Sequence, residues 1–160
     1  MKTAITLLLL LAGACLAEDG GETRWRAVQF LLGNWATTET PANTTGGFSF
    51  QKDLVGHVII RRSFSQVENG PRHEDLLVIY AEGPGAGLRA SYYDSEGHVI
   101  RYKVTAPAPD RAVFDSEGDG PRYRLSYWMA GKELKGKFEV GDKTYLEWAA
   151  VKAVNKENAK

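Results

Sequence analysis

Apolar and polar positions follow two different rhythms along this chain. In "TRWRAVQFLLG" Trp25, Val28 and Leu32 recur at helical spacing, with Thr23 placed to cap and Gly33 placed to end the turn in the left-handed conformation. This predicts a short helix over 23–33. From Asn34 the period falls to two, which is the spacing of a strand with one buried face. Ten such runs are legible, at 34–40, 47–52, 54–67, 73–82, 87–94, 98–105, 111–116, 121–130, 132–140 and 143–152. Between them lie "ENGPR", "EGPGAG", "DSEG", "APAPD", "EGDG", "AGK" and "VGDK", segments rich in the residues that turns require. Closely spaced strands and turns favour hairpin neighbours, so the expected fold is all-β, an antiparallel meander of about ten strands. A sheet of that size tends to curl and close into a barrel, which removes its exposed edges, and the helix would cap one end.

The third run, "HVIIRRSFS", sets a problem. Arg61 and Arg62 are adjacent, so a regular strand sends one of them to the buried face. Val58, Ile60 and Phe64 share a face with Arg62, whereas His57, Ile59, Ser63 and Ser65 accompany Arg61. The apolar count therefore sends Arg62 inward. A buried guanidinium needs a partner, either Glu147 between Tyr145 and Ala149 or a carboxylate carried by a ligand. A strand that overshoots the barrel, or a bulge, would instead leave both arginines outside. Arg101 and Arg124 are weaker candidates for the same role.

The first residues read as an address. "MKTAITLLLLLAGACLA" has a basic start and an apolar run too short to span a membrane as a permanent helix. Cleavage after Ala17 would leave Glu18 first. "LAGAC" also resembles a bacterial lipoprotein signal that would make Cys15 the lipid-carrying N-terminus. The expected organisation is a signal at 1–17, a spacer at 18–22, the barrel at 23–153 and a frayed tail at 154–160. The expected location is periplasmic or secreted in a bacterium, or lipid-anchored. Cys15 is the single cysteine, so an exported domain would have no disulfide and no thiolate chemistry. The net charge of zero gives no reason to expect nucleic acid as a partner. No stretch after residue 20 is long and apolar enough to form a spanning helix.

The order of parts, a signal, a short helix, then "GNW" at Gly33–Trp35 opening the first strand of a meander, resembles the calycin superfamily. With "YYDSEGHVIRY" and "LKGKFE" it is similar to bacterial exported lipocalin-like domains of unknown function and to nitrobindin-like and fatty-acid-binding-protein-like barrels. The resemblance implies that Trp35 closes one end of the barrel. It also implies a small apolar or amphipathic molecule as partner, held non-covalently inside. The arginine that lipocalins set against this Trp has no counterpart in "KTYLEWAAVK", and the Arg-x-Tyr clamp of fatty-acid-binding proteins is absent. The late-strand histidine that holds haem in nitrobindin-like barrels is missing as well, since the last histidine is His98, and no cofactor is expected.

Other chemistry finds little support. Strand register sets His57 and His73 roughly 30 Å apart at about 3.3 Å per residue, with His98 two strands from His73, so no metal site is expected. There is no Gly-x-Ser-x-Gly elbow, "GPGAG" does not lead into a helix, and Asn43-Thr44-Thr45 reads as a loop rather than a glycan acceptor. The aromatic residues at alternating positions either fill the barrel or line a cavity that a ten-stranded barrel is wide enough to keep. The cavity candidates are Arg62, Tyr80, Tyr92, Tyr102, Tyr127 and Glu147, with no catalytic residue among them. Two alternatives share this fold: an isomerase or cyclase working in the same cavity, and an envelope interaction domain with a filled barrel. The sequence leaves the oligomeric state open.

Overall fold

A computed structural model describes residues 24–40, 43–83 and 85–153. Ten strands close into one antiparallel barrel: β1 Gly33–Glu39, β2 Thr44–Asp53, β3 Val58–Val67, β4 Arg72–Ala81, β5 Leu88–Asp94, β6 Val99–Ala108, β7 Arg111–Ser116, β8 Tyr123–Ala130, β9 Glu133–Val140 and β10 Lys143–Lys152. Each strand pairs with its sequence neighbours, and β1 pairs with β10, from Trp35↔Lys152 to Glu39↔Ala149, to complete the circle. The leader with Cys15, the spacer and the tail lie outside the described residues.

The expected helix is reduced to a 3-10 segment at Arg26–Leu31, entered without a side-chain cap. Tertiary anchoring holds it in place. Trp25, Val28 and Leu31 are buried. The Trp25 indole Nε1 donates to the Gly56 carbonyl at 2.9 Å, and the Trp35 Nε1 donates to the Leu31 carbonyl at 2.7 Å. Gly33 follows the Leu32 cap with a positive φ of 122° and opens β1. A second difference lies at the start of β3. Leu54–Gly56 forms a 3-10 turn, so the long run over 54–67 is a turn followed by a strand from Val58. Leu54 and Val55 both have positive φ, an unusual conformation for a leucine and rarer still for a β-branched valine.

The 3-10 segment and the turns after β2, β4, β6 and β8 gather at one end. The turns after β1, β3, β5, β7 and β9 gather at the other, which is called the mouth below. Toward the sealed end, the inward positions Ile59, Ile79, Leu88, Ala90, Val104, Ala112 and Leu134 are buried. Mid-barrel, aromatic rings meet across the lumen. Tyr127 of β8 lies 5.6 Å from Phe50 and 6.2 Å from Phe48 of β2, 6.0 Å from Phe114 of β7 and 5.8 Å from Trp148 of β10. Most of these pairs are edge-to-face, as the ring quadrupole favours. Trp148 fits because its cross-strand partner is Gly136: a methyl group there would run into the indole ring. This half of the barrel is filled by side chains.

Candidate functional site

The β2–β3 register decides which arginine is inside. Phe50 pairs with Arg61 and Phe48 with Ser63, and cross-strand partners share a face. With Phe48 and Phe50 in the core, Arg61 must point inward, where it is 6% exposed. Arg62 is the reverse of expectation. It lies exposed on the outer wall between Ser49 and Leu76, and Val58, Ile60 and Phe64 share that outer face with it.

Arg61 crosses the lumen. Its Nη1 donates to the Tyr127 hydroxyl and its Nη2 to the Asp75 carboxylate on β4. β3 and β8 are five places apart around a circle of ten, so this hydrogen bond joins opposite walls. Burial alone would lower the affinity of Arg61 for its proton. The Asp75 carboxylate and the Tyr127 hydroxyl outweigh it and hold the pKa above the ordinary value. Its Nε has no partner among the described residues. Tyr127 is itself driven up in pKa by burial, against the pull of Arg61, so it stays a neutral phenol.

Above this floor, toward the mouth, the inward side chains divide into two sectors; Ser63, Ser65, His73 and Tyr92 are half buried, while the Asp75 and Asp94 carboxylates are nearly fully buried. On β3–β5 they are polar: Ser63, Ser65, His73, Asp75, Tyr92 and Asp94. The Tyr92 hydroxyl donates to Asp94 Oδ2 at 3.3 Å and lies 3.4 Å from His73 Nε2. His73 Nε2 lies 3.6 Å from Asp75 Oδ2 and its Nδ1 lies 2.7 Å from Glu96. Asp94 caps the β5–β6 turn, accepting from the Glu96 and His98 amides at 3.1 and 2.9 Å and meeting the His98 Nδ1 at 2.8 Å. Burial would raise the Asp94 pKa, but the His98 amide and ring, with the Glu96 amide, hold it below the ordinary carboxylate range. Tyr92 is pushed up by burial and by Asp75 and Asp94. Across the mouth, on β8–β10, the sector is aromatic. Tyr123 stacks on Phe138 at 5.9 Å, and Tyr145 meets the Phe138 edge at 6.2 Å.

The residues singled out from sequence therefore separate. Tyr92 lies at the mouth and Tyr127 in the floor. Tyr102 lies below it, 2% exposed and edge-on to Phe114 at 6.3 Å, with burial raising its pKa. Tyr80 and Glu147 are on the outer wall, Tyr80 beside Ser91 at 3.5 Å and Glu147 exposed, so neither enters the lumen. Asp75, not Glu147, answers the buried guanidinium. Trp35 is buried under the 3-10 segment with the Lys152 ammonium 4.1 Å from its ring centroid. Sequence reasoning missed Arg61, Asp75, His73 and Asp94. The available signal was the shared face of Phe48 and Phe50, which fixes Arg61 once the 54–56 turn is recognised. His57 lies at the other end from His73, as the strand register led one to expect; a grouping that the sequence reading did not weigh is His73, Asp94 and Glu96, which bring potential ligand atoms within 4.8 Å of one another. The β5–β6 turn folds back over β4, which strand-by-strand distances do not capture.

No protein-family model matches the chain, and no curated protein sequence matches it. Among solved structures it is similar to a Schistosoma mansoni fatty acid binding protein in complex with arachidonic acid. That similarity has 12% identity and a TM-score of 0.58, and covers 80% of this chain and 99% of that one. It is also similar to a de novo designed fluorescence-activating β-barrel at 15% identity and a TM-score of 0.40, covering 80% of this chain and 98% of that one. The first of these supports the fold, a closed ten-strand antiparallel barrel.

Proposed function

We propose that the chain binds a small amphipathic molecule non-covalently in the mouth half of the barrel. The observation that carries this reading is the division of the lumen. Below the Arg61–Tyr127 bond, side chains fill the space. Above it, Ser63, Ser65, His73 and Tyr92 on one side and the stacked Tyr123 and Phe138 on the other stay half-exposed. The ligand's apolar part would lie on Tyr123 and Phe138, and its polar end against His73 and Tyr92, with the unpartnered Arg61 Nε as a further donor. Asp75 already neutralises Arg61, so a ligand carboxylate is not required there. Tyr92 and Tyr127 hold their protons above the ordinary phenol value and so serve the site as neutral hydrogen-bonding groups. The packed lower half favours one second reading, a largely filled barrel that acts through its mouth loops.

The leader at 1–17 supports export, with Cys15 as a lipid anchor or removed with the signal. The test is native mass spectrometry for a retained small molecule, together with titration of anilinonaphthalene sulfonate as an amphipathic probe. Phe138→Ala and Tyr92→Phe should weaken probe binding, whereas Glu147→Gln and Tyr80→Phe on the outer wall should not. Equal effects from both sets would refute the mouth as the site, and no binding at all would favour the filled barrel.

A further inference from the structure

The outer wall is chemically uneven. Over β8–β10 the outward residues include several charged, paired groups, Arg124 with Asp115 at 2.6 Å, Lys137 with Glu139 at 2.7 Å and Lys135 with Glu39 at 3.1 Å, beside Ser126, Trp128 and Glu147. Over β3–β6 the outward positions carry Val58, Ile60, Leu76, Val78, Tyr93 and Val99. Tyr93 is 44% exposed and Val99 61%. The turn that leads into Val58 extends this strip, with Leu54 at 64% and Val55 at 101%. A continuous apolar strip on an outer wall marks a surface that something covers.

The charges on this face say what covers it. Arg62 stands in the middle of the strip, and Arg101 and Lys103 follow on β6. None of the three joins an ion pair among the described residues. Glu74 on the same face is already taken by Arg72 at 2.7 Å. The unpaired charge along the strip is therefore mainly positive, three cations against Asp53 beside Val58. Two copies placed face to face would oppose cation to cation, which disfavours self-association.

We propose that the β3–β6 wall docks on an anionic lipid surface. Ile60, Leu76, Val78 and Tyr93 settle among the headgroups, while Arg62, Arg101 and Lys103 pair with lipid phosphates. Each basic side chain near such a surface contributes about 1 kcal/mol, or roughly fivefold in affinity. Docking by the wall leaves the mouth free, so this inference stands independently of the ligand.

The test is flotation of the mature protein with phosphatidylcholine vesicles, with and without phosphatidylglycerol, at low and high salt. Binding should require the anionic lipid and fall with salt. Replacing Arg62, Arg101 and Lys103 together by Gln should weaken it about a hundredfold, by the same per-charge figure. Ile60→Ser with Val78→Ser should weaken it at unchanged melting temperature, and Lys135→Gln with Lys137→Gln on the opposite wall should leave it intact. Three results would overturn the proposal: no binding to either vesicle, equal loss from the opposite-wall variant, or light scattering that shows this face buried in a dimer.

Discussion

Replacing Asp75 by leucine should be among the most damaging single changes in this barrel. The Arg61 and Asp75 side chains are each 7% exposed, and the Arg61 Nε already lacks a partner. Asp75→Leu leaves a guanidinium in the lumen with one hydroxyl, from Tyr127, to answer its charge. Leaving a buried charge without its partner costs about 3–5 kcal/mol. Set against a total stability of about 5–15 kcal/mol, that is a third or more for a marginal domain. Arg61→Met should cost less, because Asp75 can still turn to His73 at 3.6 Å. The double variant removes both charges and fills their space with apolar atoms, so it should recover most of the loss. The coupling between the two sites is then about 2 kcal/mol or more. Urea unfolding followed by tryptophan fluorescence and circular dichroism, extrapolated linearly to water, measures all three variants. A loss below about 1 kcal/mol for Asp75→Leu, or a double variant as unstable as the two singles summed, would refute the argument that the pair is buried and coupled.

Two further outcomes follow from the packing. Gly136→Ala should cost about 1–3 kcal/mol and shift the near-ultraviolet dichroism of Trp148, because the new methyl meets a rigid indole rather than a flexible chain end; an unchanged melting temperature would show that the ring can move aside. Tyr92, Tyr102 and Tyr127 hold their protons above the ordinary phenol value, whereas the unfolded chain releases them near pH 10. Their contribution to stability is complete below about pH 10 and is lost as pH rises past it, since the unfolded state then binds fewer protons than the native one. Phenolate absorbance should show these three ionising only as the barrel unfolds, and ionisation of all seven tyrosines before unfolding would contradict it.

The strands were legible because each alternates and each ends in recognisable turn residues. The 111–116 and 143–152 runs have the same bounds in sequence and in structure. Two local features were hidden. The 3-10 segment depends on Trp25, Val28 and Leu31 docking against the barrel, which is tertiary and leaves a helix-like spacing in the sequence. The Leu54–Gly56 turn carries Leu and Val at positive φ, where turn chemistry would call for Gly or Asn. Missing that turn lost the β2–β3 register, and with it the direction of Arg61. The apolar count then gave the wrong face, because the outer wall of β3 carries Val58, Ile60 and Phe64. Counting apolar side chains finds the buried face only where the two faces differ clearly in polarity.

The hydrogen bond between Arg61 and Tyr127 acts as a spoke across a hoop. A closed ring of strands that is joined only to its neighbours can flatten into an oval without breaking any ladder bond. A link between residues 66 positions apart in sequence, on opposite staves, resists that deformation. The bore of the barrel is thus gauged by the reach of one arginine and one tyrosine. Shortening either would let the hoop sag before it unfolded.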